Sequence, residues 1–446
     1  MKKALFPAVL AAVMLLTACG ASLPAQTTEE DKTDTAPAPV TQAEHTGGTT
    51  EEPGTEAETS GAAGTGGTEK TPEKTAAPVI KGTVTVGAGE AIVYGTCEPN
   101  SRLKVSAGDS AFEAYADGGY FAVPVTCKRS VTVTVTATSD KGSESDGASV
   151  LVKYRKNAED RGVTATLGSR VIEKKVLPDQ YGTNAFDGSE LAALKKSAAY
   201  RVKKAADKAG KSVRIVYVIA PDPLTVYPEE LTAEMTENIE KKNARLEQTV
   251  KALSGVEGVT VIDLRAAMAE NRENGKLYYK LDSHWTELGA YYGYAETVSA
   301  LGMTARPLSD FRVEYIDIDD TDMNVYSGVG TGEMYESAPF LTPLFEADTP
   351  YFAKKEKSAR FWNYANEFFV GKTSVSLQKD QTGVALVLLD SYGFNIVPYL
   401  SLHFGTFVTQ RVWSHNCDYG LVSEYSPDVI IHIIAERDLG ELVSAT

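Results

Sequence analysis

The sequence predicts an α/β domain built on a parallel sheet with helices on both faces, preceded by a small all-β sandwich. Three observations carry this expectation. Beyond residue 160, continuous apolar runs such as Val213–Ile219, Val384–Leu389 and Val429–Ile434 alternate with helical stretches, the pattern of strands buried on both faces. From 79 to 154, short β-branched runs recur with turn residues between them. Residues 20–78 are rich in Thr, Glu, Gly, Ala and Pro and hold almost no large apolar residue after Leu23. Such a stretch cannot bury enough surface to offset its ordering entropy, so it is expected to be a disordered acidic tether.

The chain begins with Lys2 and Lys3, an apolar run from Ala4 to Leu16, and then Leu16-Thr17-Ala18-Cys19-Gly20. A short charged start, a brief apolar run and small exit residues predict a secretory signal over 1–19. The placement of the cysteine resembles a bacterial lipobox, which implies removal of the residues before Cys19 and a lipid on its thiol. No other segment approaches the ~20 apolar residues of a membrane-spanning helix. The expectation is therefore an exported protein, held by acyl chains on the outer face of the cell membrane.

The formal charge is −16, and the tether supplies much of it, with 11 acidic residues against three lysines over 20–78. An acidic chain without a basic face argues against a nucleic-acid partner. The runs Val84–Val86, Ala91–Tyr94, Leu103–Val105, Phe121–Val123, Val131–Val135 and Val150–Val152, broken by Glu98-Pro99-Asn100, Asp117-Gly118-Gly119 and Ser139–Gly142, predict six or seven strands. This segment resembles the immunoglobulin-like domains of bacterial surface proteins. It carries no chemistry, and a spacer is the expected role, with glycan or partner binding as the alternative. Cys97 and Cys127 both lie in it and either form a disulfide or remain two buried thiols. Cys417 is expected to be a packed thiol. No Cys/His cluster has metal-ligand spacing, so neither a structural zinc nor any cofactor is predicted.

In the α/β part the pattern predicts helices over 189–208, 230–253, 286–301 and 395–404, and strands over 213–219, 259–264, 384–389, 407–412 and 429–434. Residues 303–380 read as irregular with short strands. Thr286 is the expected N-cap and Gly302 the terminator of the third helix.

The chemistry concentrates in two places. The apolar strand Val384–Leu389 runs into Asp390-Ser391-Tyr392-Gly393 and then a helix. A serine there stands at the carboxyl edge of the sheet, where open α/β folds place ligands, with a helix N-terminus behind it. A serine hydroxyl needs a base. Of the five histidines, His45 lies in the tether, His403 in a helix, His415 in a loop and His432 inside an apolar strand. His284 stands in Tyr278-Tyr279-Lys280-Leu281-Asp282-Ser283-His284-Trp285, where Asp282 two residues earlier can orient the ring.

Asp282-Ser283-His284-Trp285 followed by Glu287-Leu288-Gly289-Ala290 resembles the signature of the DHHW proteins, which are similar to the AlgX/AlgJ alginate O-acetyltransferase group of the SGNH-hydrolase-like superfamily. The resemblance spans about 165–440. It implies an SGNH-like fold over 160–446 and a triad of Ser391, His284 and Asp282, with the Asp/His loop ahead of the serine strand. Ser283 replaces the family's first His. The strand Val429–Ile434 leads to Ala435-Glu436-Arg437 where ordinary SGNH enzymes place an oxyanion-hole Asn. The backbone N–H groups near Ser391 and Gly393 are the first oxyanion candidates and Arg437 the other, with Arg437 alternatively paired to Glu436 or Asp390. Trp285, Tyr392, Tyr278 and Tyr279 are candidate sugar platforms, with packing around the site the favoured role of each alone. The implied activity is O-acetyl transfer to an extracytoplasmic polysaccharide or cell-wall glycan, with the donor reached through a membrane partner. The alternatives are an O-acetyl esterase using the same triad and a non-catalytic glycan-binding or assembly lipoprotein.

Overall fold

The computed structural model describes residues 73–239, 244–318, 321–330, 332–353, 373–412 and 414–445. The expected signal segment with Cys19, and the tether up to residue 72, lie outside the described residues. No helix among the described residues is long and apolar enough to cross a membrane.

Seven strands follow one another from residue 79: β1 (Val79–Gly87), β2 (Glu90–Thr96), β3 (Arg102–Ala107), β4 (Ser110–Tyr115), β5 (Tyr120–Thr126), β6 (Val131–Thr138) and β7 (Ala148–Val152). They form antiparallel sheets ordered β1-β2-β5 and β4-β3-β6-β7. Alternate residues of both sheets, among them Val93, Leu103, Val105, Phe121, Val123, Val133 and Val135, close a common core.

Cys97 and Cys127 are unbonded thiols, so the disulfide alternative is wrong. The register gives the reason. Thr96 pairs with Tyr120 at one end of the β2–β5 ladder and Glu90 with Thr126 at the other. The two cysteines follow opposite ends of that ladder. Cys97 lies level with Gly119 and Cys127 with Gly89, so eight residue steps at ~3.3 Å each separate them by roughly 26 Å, whereas a bridge needs Cα atoms within about 7 Å. Alkylation of the denatured, unreduced protein is therefore expected to modify both thiols, as read by mass spectrometry.

Strand β2 is buried on both faces, which means that a second layer covers the sandwich. That layer is the α/β part. Val86, Ile92, Tyr94 and Ala122 pack with Val163, Val171, Leu281 and Met323. Backbone bonds cross the same boundary, with Tyr115 N–H donating to Leu167 O at 2.8 Å and Arg161 N–H to Val86 O at 2.8 Å. Val163–Ala165 (β8) and Val171–Glu173 (β9) form a small hairpin in this layer. The sandwich therefore walls one side of the Leu281 loop.

The main sheet has the order β11-β10-β17-β15-β16-β14, built from β10 (Arg214–Ala220), β11 (Val259–Asp263), β14 (Thr373–Leu377), β15 (Val384–Leu389), β16 (Thr406–Arg411) and β17 (Val429–Ala435). All pairs are parallel except β14 with β16. Every residue of β17, and all of β10 after Arg214, is buried. One core layer covers each face, the first containing Val216, Trp285, Tyr294 and Leu389, the second Leu194, Ile215, Leu253 and Ile430.

The helix at Gly188–Ala209 begins with an Asp187–Glu190 capping box and ends at Gly210, whose φ is +67°. The single helix expected over 230–253 is corrected to Ala233–Glu237 and Ala244–Leu253. Thr232 caps the first of these through Met235 N–H at 3.2 Å, while Glu230 is drawn inward to Arg170. Thr286 caps the Glu287–Ala300 helix by accepting from Gly289 N–H at 3.2 Å. The stretch read as irregular holds a hairpin, β12 (Phe311–Ile318) with β13 (Glu336–Pro343), whose connection carries the short helix Asp322–Ser327.

Register aligns the strand ends that matter. Ala220 of β10 lies beside Ala435 of β17, and Leu389 of β15 beside Ile433. The residues just beyond, Pro221-Asp222, Glu436-Arg437 and Asp390-Ser391, thus leave the carboxyl edge of three adjacent strands together.

Candidate active site

The loop before the Glu287 helix folds as a tight antiparallel turn. Tyr278 bridges Trp285, Tyr279 N–H donates to His284 O at 3.2 Å, and Thr286 N–H to Leu277 O at 2.9 Å. Buried polar groups hold its outer side. The two Glu336 carboxylate oxygens accept from Lys280 N–H at 2.7 Å and Leu281 N–H at 2.8 Å. Lys276 pairs with Glu336 at 3.4 Å and with Asp117 of the sandwich. Arg170, Glu230 and Lys280 form a second buried network, with Arg170 Nε 2.9 Å from Glu230 Oε2 and Lys280 Nζ 2.5 Å from Oε1. Its Arg170 also donates to Tyr279 O.

At the loop's tip, His284 Nδ1 lies 2.6 Å from Asp282 Oδ1, which also accepts the His284 N–H at 3.0 Å. Both residues are buried. Burial, the dominant influence, pushes the Asp282 carboxyl up to about 6, against hydrogen bonds from His284 and Asp322 that lower it. Burial also pulls His284 down to about 4. The ring is thus held neutral near pH 7, with one nitrogen committed to the carboxylate.

The serine turn docks directly on this loop. Trp285 Nε1–H donates to Tyr392 O at 2.9 Å, Tyr392 O–H to Ser283 O at 2.9 Å, and Asn395 Nδ2–H to Trp285 O at 3.1 Å. The His284 and Tyr392 rings lie 5.3 Å apart. Ser391 itself is half-buried between two buried neighbours. Asp390 anchors the turn, one oxygen accepting Ala435 N–H at 2.6 Å and the other Tyr392 N–H at 2.8 Å.

Residues 184–355 match a family model described as the SGNH hydrolase-like domain of the acetyltransferase AlgX. Over that span the α/β domain is AlgX-like. The matched span holds Asp282 and His284 and ends short of Ser391. No curated protein sequence matches the chain. Among solved structures, a DHHW family protein from Eubacterium siraeum DSM 15702 is similar at 14% identity and a TM-score of 0.48, over 64% of this chain and 96% of that one. PatB1 from Bacillus cereus is similar at 14% identity and 0.42, over 56% and 90%. The O-acetyltransferase domain of Pseudomonas putida AlgJ is similar at 18% identity and 0.36, over 63% and 92%.

Several expectations for the AlgX-like domain need correction. Trp285, Tyr278 and Tyr392 are fully buried, so they support the turn from beneath and offer no face to a sugar. Gly393 N–H is donated to Asp390 O at 3.2 Å, which commits it to the turn. Among the described residues the Ser391 N–H meets no acceptor. Arg437 pairs with neither Glu436 nor Asp390. Its Nη1 lies 2.6 Å from Asp222 Oδ1, its guanidinium donates to Ser283 O at 3.3 Å, and it lies over the Tyr392 ring at 4.9 Å. Glu436 instead accepts from Asp222 N–H at 2.9 Å and Thr225 O–H at 2.7 Å. Burial first, then the Asp222 charge, push it up to about 8.

Sequence reasoning missed Asp322. From the short helix after β12 it accepts Ser283 N–H at 3.0 Å and Ser283 O–H at 2.5 Å. Asp282, His284 and Asp322 bring one ligand-type atom each within 4.8 Å of the others. N–H and O–H donors already aim at these carboxylates, an arrangement suited to handling protons. The Asp beside Met323 had no local signal, because its partner lies 39 positions away.

Proposed function

We propose that the AlgX-like domain carries out serine-dependent O-acetyl transfer to an extracytoplasmic glycan. The observation that supports this best is the buried Asp282–His284 pair, 2.6 Å apart, on a loop bonded directly to the turn that carries Ser391. In the first half-reaction the Ser391 oxygen attacks the donor's acetyl carbonyl while His284 takes the hydroxyl proton. The donor's leaving group takes that proton from His284 as its bond to the acetyl carbon breaks, leaving an acetyl-serine. In the second, a sugar hydroxyl gives its proton to His284 and attacks the acetyl carbon, and the proton then returns to the Ser391 oxygen. Asp282 keeps the ring in the productive tautomer and stabilises the imidazolium in each half. The Ser391 N–H is the candidate donor to the tetrahedral oxyanion.

Export by the 1–19 signal, a lipid on Cys19 and an acidic tether would put this site outside the membrane within reach of glycan and of a membrane-held acetyl donor. Tyr326, four residues after Asp322 on the same short helix, is 44% exposed. It replaces Trp285 and Tyr392 as the candidate sugar-stacking ring.

Incubation with an activated acetyl ester and oligosaccharides tests the proposal by mass. Acetylated sugar is expected, in an amount that depends on Ser391. Free acetate without acetylated sugar would make the protein an esterase. Failure of a fluorophosphonate to modify the folded protein at Ser391 would favour a binding role.

A further inference from the structure

We propose that Asp322 is a positioning residue of the triad, which fixes the Asp282 carboxylate through Ser283 and, by its own protonation, sets the basicity of His284. The inference rests on the triad reading above. Its basis is geometric. Asp322 is 5% exposed and uses both oxygens on Ser283, the residue between Asp282 and His284. The next residue ties the same two segments together, with Met323 N–H donating to Leu281 O at 3.2 Å and the Met323 side chain packing with Leu281. The short helix and the catalytic loop therefore move as one piece.

Two buried carboxyl groups this close cannot both ionise without cost. Each carboxyl accepts two hydrogen bonds, but Asp282 pairs with the titratable His284 ring whereas Asp322 accepts only from the neutral Ser283, so Asp322 is the carboxyl expected to hold the proton. Burial, then the Asp282 charge, raise Asp322 to about 7. The other groups that face it are His284, Glu173 at the end of β9 and Tyr326 on its own helix, with Arg437 acting on its neighbours Asp282 and His284. Among the interactions at His284, the Asp322 charge is the largest one opposing burial. When His284 takes the Ser391 proton, an ionised Asp322 stabilises the imidazolium and a protonated one does not. The reaction is expected to quicken as pH rises through about 7, where Asp322 loses its proton.

The test follows His284 directly. In the full chain carrying 15N-histidine, the ring nitrogens of His284 are expected to shift with a midpoint near pH 7, and Asp322→Asn should abolish that step. Fluorophosphonate labelling of Ser391 should show the same step in the wild type and lose it in Asp322→Asn. Asp322→Ala should slow labelling by about 10²-fold through misplacement of the dyad. A purely structural Asp322 would leave the pH profile unchanged in shape. The step persisting in Asp322→Asn, or absent from the wild type, would overturn the inference. If Asp322→Asn does not fold, Ser283→Ala serves instead: loss of the hydroxyl's hydrogen bond should move the midpoint upward, and an unmoved midpoint would count against the proposal. A wild type that shows the step but is never labelled would sink the triad reading alone.

Discussion

His284→Ala is expected to lower the rate of acetyl-ester turnover by about 10⁴-fold or more, and Ser391→Ala by a similar factor. The double variant should be little worse than either, because the two groups act as one unit. Neither change should prevent folding. Ser391 is half-buried and donates to no packed core, and the loop around His284 is held by Glu336, Thr286 and Trp285. The pH dependence has a definite sign. His284 must be neutral to accept a proton, and burial depresses it to about 4 while raising Asp282 to about 6. Below the Asp322 step near pH 7, the remaining activity should therefore persist into mildly acid conditions and fall again as pH drops from about 6 to about 4, where the dyad takes up a proton. A kcat/KM profile measured with an activated ester reads this limb, and an acid limb unchanged by Asp282→Asn would remove that carboxylate from the mechanism.

The parts of the site that were legible in the sequence share one property: their signal is local. Asp282 and His284 are two residues apart, Thr286 is an N-cap beside an apolar helix, and Ser391 follows an unbroken apolar strand. The parts that were not legible depend on partners far along the chain. Asp222 meets Arg437 across 215 positions, Glu336 meets Leu281 across 55, and nothing near any of them marks the pairing. The aromatic residues were ambiguous for a different reason. A ring beside a catalytic-type serine reads equally as platform or as packing, and the tight turn at Ser391 sends Tyr392 inward onto Trp285, their ring centres 5.2 Å apart. One missed feature did leave a trace. Ala91-Ile92-Val93-Tyr94 is a continuous apolar run, unlike the alternating Val131–Val135, and it already called for a layer on the outer face of the sandwich. The β12–β13 hairpin was hidden because a helix and long loops, not a tight turn, join its strands.

Arg437→Met is expected to destabilise the protein by about 3–5 kcal/mol, the usual cost of removing one partner from a buried ion pair. The Arg437 side chain is 6% exposed and that of Asp222 fully buried. Among the described residues the second oxygen of Asp222 has no hydrogen-bond partner, so the guanidinium is its main compensation. Glu436 cannot take over, since it accepts the Asp222 N–H and is itself raised to about 8. Without Arg437, Asp222 must hold a proton to stay buried. Its folded pKa is already raised to about 6, by burial first, and the substitution raises it further. A group raised in the folded state stabilises fully below its unfolded pKa and loses that contribution as pH climbs through the folded value. The deficit of Arg437→Met should therefore be smallest near pH 4 and largest at neutral pH and above, as read from urea midpoints across that range. Asp222→Asn placed on the same background should recover much of the loss, because it removes the stranded charge. Labelling of Ser391 should not recover with it. Arg437 also donates to Ser283 O and covers the Tyr392 ring, so it ties the loop that carries Asp282 and His284 to the turn that carries the serine. Full recovery of both stability and labelling in the double variant would reduce Arg437 to a counter-ion and leave the alignment of the two segments to Trp285 and Tyr392 alone.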